Sequence, residues 1–381
     1  MKKKEYDRKE AENWLWLCSI PGIYWKERML LLHYFETPGN IRYAPVKSFE
    51  MWEKLGRSWV RKLYPWLHVK DPDDHKLRRA VERMNRNGIR FTGMPDPAFP
   101  SRLRVLPDCP HGLFYIGELP GEDSIQIAII GARACSAYGS FMARRIASSL
   151  AKQGIQIISG MAEGIDGIAQ QAAVEAGGFS FAVLGSGVDI CYPWINQPLY
   201  MTLKTKGGIL SELPPGTPPR KFHFPMRNRL ISALADALIV IEARERSGTL
   251  ITVDYALEYG RDIYTVPGRS TDELSMGCNR LIRDGAGIIL SPEDLTETIL
   301  QRYAPKPAFS EYKSRLLHTE KELMLASEDF LVYSNVDLSP LSLDQIAAAA
   351  GMDAAAVSSC ITQLLMKGLI REVAKNKYIR A

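Results

Sequence analysis

The stretch that decides the fold is FHFPMRNRLISALADALIVIEARERSGT, residues 222–249. Pro225 suits the first turn of a helix, where its missing N–H costs nothing. Arg227 and Arg229 are expected in that same turn, where the helix dipole disfavours cations unless an anion binds. The apolar run 237–241 then predicts a strand buried on both faces. The stretch indicates a helix–strand unit with a basic helix end, which is either a ligand site or a plain solvated surface.

The surrounding chain repeats this alternation of strand and helix from residue 125 to 300. Several strand-like segments are continuous apolar runs, as expected for parallel strands that helices cover on both faces. The pattern predicts an α/β fold with an extended Rossmann-like, doubly wound, mostly parallel sheet. The predicted strands are 125–130, 155–159, 180–184, 208–211, 237–241, 262–266 and 288–290.

Smaller modules flank the predicted sheet. Apolar residues at helical spacing predict a helical domain over 1–68. Its segment 19–23 resembles the hairpin of helix-hairpin-helix modules, and the helical domain as a whole is similar to SAM domains. A Rossmann-like domain is expected over 69–302 and a proline-containing linker over 303–318. Residues 319–381 are typical of a winged-helix domain. There Ser342 and Asp353 predict the caps of two helices, before a short β-ribbon.

The composition is that of an ordinary globular protein with a small basic excess. The 381 residues are 46% hydrophobic and 24% charged, with a formal net charge of +5. Because single cores stop growing at roughly 250–300 residues, we expect more than one domain. The charge is compatible with a polyanion partner, although its sign says nothing about clustering.

Signals for metal binding, secretion and membrane insertion are missing from the sequence. The six cysteines stand singly, and no zinc spacing can be built with the six histidines. Charged residues rather than an apolar segment follow the N-terminal lysines, so no signal peptide is expected. No apolar run reaches the roughly 20 residues that cross a bilayer. We therefore expect a cytoplasmic protein with no metal, no cofactor and no membrane contact.

Four loops follow predicted strands and should meet at one sheet edge, because ligands of open parallel sheets bind beyond the carboxyl ends of the strands. Glycine allows close backbone approach, and the helix after each loop offers free N–H groups to a phosphate. The loops begin at Gly131, at Ser159, at Gly185 and in the basic segment described first. The candidate binding residues are Gly131, Arg133, Ser159, Gly160, Gly185, Ser186, Gly187, Lys221, Arg227, Asn228 and Arg229.

These loops carry no recognisable catalytic machinery. The first has only Gly131 and Gly139, so it lacks the glycine spacing of a dinucleotide site. Ser186 lies in a Gly-Ser-Gly turn, but none of the neighbouring loops carries a histidine that could activate it as a nucleophile. Asp166 and Asp189 are expected to cap helices or orient arginines, with an acid role as the alternative. A rim of backbone N–H groups and arginines suits a phosphodiester chain. The nearby aromatic residues offer stacking faces to bases or else pack on the sheet: Tyr138, Tyr192 and Trp194.

Taken together, these motifs resemble the DNA-processing protein A family (DprA, also called Smf). The match is strong over about 95–300, and it departs at Gln170, where the family has a histidine. The matching segments are GAR at 131–133 for the family's Gly-Ser-Arg, SGMAEGID at 159–166, AVLGSGVDICYP at 182–193, SE at 211–212, FPMRNR at 224–229, EA at 242–243, SGTLIT at 247–252, VPG at 266–268 and GCNRLI at 277–282.

The resemblance implies a non-enzymatic, cytoplasmic protein that binds and protects incoming single-stranded DNA during natural transformation and helps to load RecA recombinase. It also implies a homodimer through the Rossmann-like domain, with single-strand-binding protein as a further partner. By analogy the strand-binding groove is lined by Arg133, Ser159, Gly160, Arg227 and Arg229.

Two alternatives belong to other classes. The first is a Rossmann-like enzyme that binds or hydrolyses nucleotides. The turn Ser247-Gly248-Thr249 weakly resembles the glycine-rich turn of such enzymes, although no glutamate follows it. A transcription factor would have to read DNA through the winged helix. Its second helix, 354–366, carries no arginine or lysine, so we do not expect it to read the major groove. The ribbon residues Lys375, Lys377 and Arg380 are expected to contact phosphates, unless the module binds a protein partner.

Overall fold

The computed structural model describes residues 8–304, 327–336, 340–374 and 376–380. The chain forms two compact units, Met1–Pro305 and Lys306–Ala381. Most of the predicted linker, 303–318, and the ribbon residue Lys375 lie outside the described residues. Within the described ranges, no single helix is long and apolar enough to cross a membrane.

The first unit begins with helices, as the sequence predicts. Trp14, Trp16 and Trp52 are buried there and belong to the core of this part. The helices are α1 (Arg8–Ser19), α2 (Trp25–Phe35), α3 (Pro38–Tyr43), α4 (Glu50–Lys54) and α5 (His75–Arg86), with 3-10 helices at Val46–Phe49, Ser58–Lys62 and Tyr64–Trp66.

A nine-stranded sheet follows in the order β1-β2-β6-β5-β4-β3-β7-β8-β9. The strands from β6 to β9 in this order are parallel, whereas β1 and β2 are antiparallel additions at one edge. This confirms the doubly wound, mostly parallel sheet. The strands are β1 (Arg90–Gly93), β2 (Gly112–Gly117), β3 (Gln126–Ile130), β4 (Gln156–Ser159), β5 (Ser180–Val183), β6 (Gly207–Ser211), β7 (Ala237–Val240), β8 (Asp262–Thr265) and β9 (Gly287–Ile288).

Helices cover both faces of the sheet, so the central strands are wholly buried. One face packs against α10, α11 and α12 through residues such as Leu230 and Val253, and the other packs against α8 and α9 through Val174 and Leu199. The helices of this part are α6 (Ser101–Arg104), α7 (Ala137–Lys152), α8 (Ile165–Glu175), α9 (Gln197–Leu203), α10 (His223–Leu234), α11 (Gly248–Glu258), α12 (Glu273–Arg283) and α13 (Pro292–Tyr303), with a 3-10 helix at Trp194–Asn196.

The structure differs from the prediction at both sheet edges. β1 and β2 were not predicted as strands, because they lie in a proline-rich segment and depend on pairing with distant β6, where Phe114 faces Ser211. At the other edge β9 stops at Ile288 instead of continuing to 290. Leu290 is exposed, and the side chain of Ser291 accepts a hydrogen bond from Asp294 N to begin α13.

The order of strands places a topological switch between β3 and β7. From β3 the chain moves outward through β4, β5 and β6, and it then returns to pair β7 on the other side of β3. The loops after β3 and β7 therefore diverge and leave a crevice beyond their carboxyl ends. Doubly wound sheets bind ligands at this position.

The second unit is a winged helix, as predicted. Ser342 accepts from Gln345 N at 3.3 Å and Asp353 accepts from Ala355 N at 2.9 Å, so both predicted caps are present. Its elements are α14 (Ser327–Ser334), α15 (Leu343–Ala350) and α16 (Ala354–Met366), and a small sheet of β10 (Leu341–Ser342), β11 (Ile370–Ala374) and β12 (Lys377–Arg380).

Candidate nucleic-acid interface

A pocket of about 540 Å³ lies at the carboxyl ends of β3 and β7. It occupies the crevice that the switch in strand order creates. Four parts of the chain form its walls: the loop after β3, the start of α8, the start of α10 and the start of α11. Of the predicted binding residues, those that line it are Gly131, Arg133, Lys221, Arg227 and Asn228.

The guanidinium of Arg227 lies at the bottom of this pocket. It donates to the carbonyl oxygen of Gly160 at 2.8 Å and to that of Val183, and its side chain is only 7% exposed. The pKa of Arg227 is lowered to about 10, chiefly by burial; the charge of Asp166 acts against this shift, and the nearby charge of Arg133 adds to it. Because burial has removed the water that stabilises the charge, an anion in the pocket would interact strongly with it.

Asp166 lines the bottom of the pocket beside Arg227. Its buried carboxylate accepts a hydrogen bond from Gly160 N at 3.2 Å. Burial raises the pKa of Asp166, while the positive charge of Arg227 acts in the opposite direction. The carboxylate therefore holds the loop after β4 and attracts the buried guanidinium by its charge.

The mouth of the pocket combines an open cation with aromatic rings. Arg133 is exposed and its guanidinium lies 5.6 Å from the centre of the Phe224 ring. The Phe224 ring in turn lies 5.6 Å from that of Tyr192. Arg133 and the exposed Lys221 form no ion pair with any described residue, so both charges are available to a ligand.

The start of α7 does not offer the free N–H groups that the sequence predicted after the first loop. Glu242, which follows β7 and is 1% exposed, accepts hydrogen bonds from Ser136 N at 2.9 Å and from Ser136 Oγ. Ser136 Oγ also accepts from Gly139 N at 3.0 Å. A carboxylate of the protein thus occupies the helix terminus where dinucleotide-binding folds place a phosphate.

Comparison with known proteins identifies the family. The model for DNA recombination-mediator protein A matches residues 90–300, more than half of the chain. The chain belongs to this family. A second model, for the DprA winged helix domain, matches residues 325–375.

Relatives support the same assignment over the full length. Protein Smf of Escherichia coli strain K12 is 30% identical over 375 residues, covering 96% of this chain and 94% of Smf. DNA processing protein DprA of Streptococcus pneumoniae is 42% identical over 200 residues, covering 52% of this chain and 71% of that protein.

Solved structures of the family have the same fold. The crystal structure of Streptococcus pneumoniae DprA superposes with a TM-score of 0.62 at 32% identity, covering 74% of this chain and 96% of that one. DNA processing protein A from Helicobacter pylori, studied for its single-stranded DNA binding mode, superposes with a TM-score of 0.51 at 29% identity, covering 56% of this chain and 97% of that one.

The residue that departs from the family pattern has a structural role in this chain. Gln170 is fully buried, its Oε1 accepts from Met161 N at 3.0 Å, and its Nε2 donates to Ser180 Oγ at 3.2 Å. It therefore holds the loop after β4 against β5. Gln170 thus bonds the same loop whose Gly160 carbonyl oxygen accepts from Arg227.

The structure places Arg229 away from the pocket, contrary to the expectation that it lines the groove. Its guanidinium is 1% exposed and pairs with Glu212 at 2.5 Å and Asp108 at 3.1 Å. Residues two apart on a helix point about 200° apart, so Arg227 and Arg229 lie on opposite sides of α10. Because α10 begins at His223, both arginines are also in its second turn rather than its first.

The third loop, 185–187, is likewise covered. Gly187 N donates to Thr217 O at 2.8 Å, and Ser186 Oγ donates to Ile190 O at 3.3 Å. The Phe224 ring lies against Gly185. Ser159 is also buried, its Oγ donating to Ile129 O at 2.6 Å. These residues support the wall of the pocket and do not face its interior.

Residues that the sequence did not select also line the pocket. Ser247, Gly248 and Thr249 do so at the start of α11, where Ser247 Oγ accepts from Thr249 N at 3.1 Å. Their Ser-Gly-Thr turn was the available signal: it belongs to the family resemblance and to the enzyme alternative, but it was not selected as a binding segment. His223 is buried and shares a 3.2 Å hydrogen bond with Tyr24 Oη, so it supports the helix start. Among the described residues, no cluster of side chains suits a metal ion.

Proposed function

We propose that this member of the DNA recombination-mediator protein A family binds single-stranded DNA in the pocket between β3 and β7. The family gives the chain a role in DNA processing and recombination. The observation that carries the finer proposal is the pairing of a buried guanidinium, Arg227, with an open one, Arg133, beside two aromatic rings. The buried cation attracts a phosphate, and the rings offer faces to unpaired bases.

A single strand fits this site better than a duplex. The aromatic rings of Phe224 and Tyr192 can stack only on bases that are not paired. Reading a duplex requires a helix or ribbon that enters a groove, whereas the cations of this site line a concave pocket. The relative from Helicobacter pylori, whose structure concerns its single-stranded DNA binding mode, supports the same choice.

We further propose that the protein acts without catalysing a reaction, protecting incoming DNA in the cytoplasm during natural transformation and loading RecA onto it. A homodimer through the Rossmann-like domain and contact with single-strand-binding protein are parts of this proposal. The support is that the polar groups beside Arg227 already have structural partners. Asp166 bonds Gly160 N, Glu242 bonds Ser136, and His223 bonds Tyr24.

The direct test is binding of fluorescent oligo-dT measured by anisotropy at several salt concentrations. The wild type should bind with an affinity that falls steeply with salt, because phosphate contacts release counterions. Arg133→Ala should weaken binding about tenfold to a hundredfold, the effect of one charge-assisted hydrogen bond of about 1.5–3 kcal/mol. Arg144→Ala removes an equal charge from α7, where Arg144 is paired with Glu175 of α8, and should bind like the wild type. Equal affinities of all three proteins would reject the site.

The nucleotide-enzyme alternative remains because Ser247, Gly248 and Thr249 line the same pocket. Its volume of about 540 Å³ also lies within the usual range of small-molecule sites. Incubation with a panel of nucleotides distinguishes the two functions. Release of free base or ribose phosphate, abolished by Arg227→Met, would favour the enzyme.

The mediator role needs its own assay. RecA filament formation on DNA coated with single-strand-binding protein should accelerate when the wild type is added. Arg133→Ala should lose that acceleration in proportion to its loss of DNA affinity. A wild type that binds the DNA yet leaves filament formation unchanged would remove RecA loading from the proposal.

A further inference from the structure

Helix α5 presents a row of cations outside the pocket. It contains five lysines and arginines and a single acid, Glu82. Arg79, Arg83 and Arg86 are spaced i, i+4, i+7 and therefore share one face over about 10 Å of helix. All three are exposed, and neither Arg79 nor Arg86 has an ion pair within the described ranges. This row, the α5 stripe, is a concentrated positive surface that the pocket does not use.

The α5 stripe is connected to the wall of the pocket through Arg83. Its Nε donates to Asp189 Oδ2 at 2.8 Å, and Asp189 Oδ1 accepts from Gly216 N at 2.7 Å. Asp189 lies two residues after the third loop, and Gly216 lies in the segment that leads to α10. Arg83 thus fixes the stripe next to the two chain segments that carry Tyr192 and Phe224.

A second hollow is lined by residues that neighbour both α5 and the pocket-lining Tyr192 along the chain. Its volume is about 170 Å³, and it is lined by Asn87, Asp189, Cys191, Trp194, Tyr200 and Lys204 among others. Asn87 directly follows α5, where its Nδ2 donates to Arg83 O at 2.8 Å. Trp194 is 74% exposed and lies two residues from Tyr192, which lines the pocket. Aromatic and cationic side chains therefore continue from the mouth of the pocket to α5.

We propose that a single strand longer than the pocket continues across Trp194 and Lys204 and follows the α5 stripe. This inference rests on the proposed function, because it extends the strand that the pocket holds. The strand would place phosphates near Arg79, Arg83 and Arg86, and a base on the exposed indole of Trp194. Exposed tryptophan next to separated cations is how sequence-independent single-strand sites combine stacking with phosphate contacts. An acidic protein segment would match the cations but would not use the indole.

The test compares a short and a long oligo-dT, about 6 and 25 nucleotides, with the full-length protein. The double variant Arg79→Gln/Arg86→Gln keeps the Arg83–Asp189 pair, and Trp194→Ala removes the stacking face. Each should bind the short oligonucleotide within about twofold of the wild type. Each should bind the long one about tenfold more weakly, and the double variant should lose about 1.4 from the salt slope, at about 0.7 per phosphate contact.

A control separates this effect from a change of net charge. Arg144→Gln/Arg145→Gln removes the same charge from α7, where both arginines are ion-paired, and should leave both affinities unchanged. If the double variant binds the long oligonucleotide like the wild type, the α5 stripe does not carry the strand and the inference is overturned. If the wild type binds neither oligonucleotide, the proposed function itself has failed.

Discussion

The two arginines of the FPMRNR segment should respond to mutation in opposite ways. Arg229→Ala should destabilise the first unit and leave DNA binding unchanged. Changes at Arg227 should weaken DNA binding, as should Arg133→Ala in the loop after β3. The reason is that Arg229 lies between the carboxylates of Glu212 and Asp108 and away from the pocket. Its motif neighbour Arg227 lies on the pocket side of the same helix.

The expected magnitude follows from the burial of the ion pairs. Glu212 is buried, and in the described structure its Oε1 has no hydrogen-bond partner, so Arg229 supplies most of its stabilisation. Removal of one partner from a buried pair leaves an uncompensated charge and costs about 3–5 kcal/mol. Asp108 is partly exposed and adds little. A loss of about 3–5 kcal/mol is a large fraction of the stability of an ordinary domain.

Urea unfolding followed by tryptophan fluorescence measures this change, because Trp14, Trp16 and Trp52 are buried in the first unit. Arg133→Ala is the matched control. Arg133 is exposed and has no ion pair among the described residues, so the free energy of unfolding of this variant should stay within about 0.5 kcal/mol of the wild type. Oligo-dT affinity is then measured well below the unfolding transition. There Arg229→Ala should bind within about twofold of the wild type.

The opposite result would refute this assignment. If Arg229→Ala keeps the wild-type urea midpoint and loses DNA affinity, its guanidinium contacts DNA and the buried pairs with Glu212 and Asp108 are not its role. Arg229→Met gives a second measurement, since it retains the buried volume. It should be more stable than Arg229→Ala and should bind DNA equally well.

Three further predictions concern other parts of the first unit. Burial lowers the pKa of His111 to about 3, against about 6.5 when unfolded. Stability is therefore lost as pH falls through this range, and between pH 7.5 and 5.0 His111→Phe should lose about 2 kcal/mol less than the wild type in urea unfolding. Gly160→Ala would place a methyl group 2.5 Å from Arg227 Nη1, so oligo-dT affinity should fall about tenfold by anisotropy. Glu242→Gln should lower the melting temperature through a loss of about 1 kcal/mol at the α7 terminus, without a change in DNA affinity; an unchanged melting temperature would contradict that role.

The sequence by itself determined the class of fold and the edge of the sheet that carries the site. Continuous apolar strands alternating with helices have few stable arrangements, and a doubly wound sheet brings the carboxyl ends of its strands together. Arg133, Lys221 and Arg227 were therefore expected at one edge, and they line one pocket. The segments β1 and β2 escaped prediction because their strand character comes from pairing with β6, not from their own pattern.

Only the tertiary structure decided which residues of that edge face a ligand. Helical geometry separates Arg227 from Arg229 by about 200°, but the sequence does not say which of the two points toward the crevice. Two carboxylates that are remote in the chain decide this orientation. Glu212 and Asp108 pair with Arg229, so it is Arg227 that faces the pocket. In the same way Glu242 reaches Ser136 across 106 positions and occupies the α7 terminus. Pairings over such distances depend on the packing of the whole sheet, so no local pattern records them.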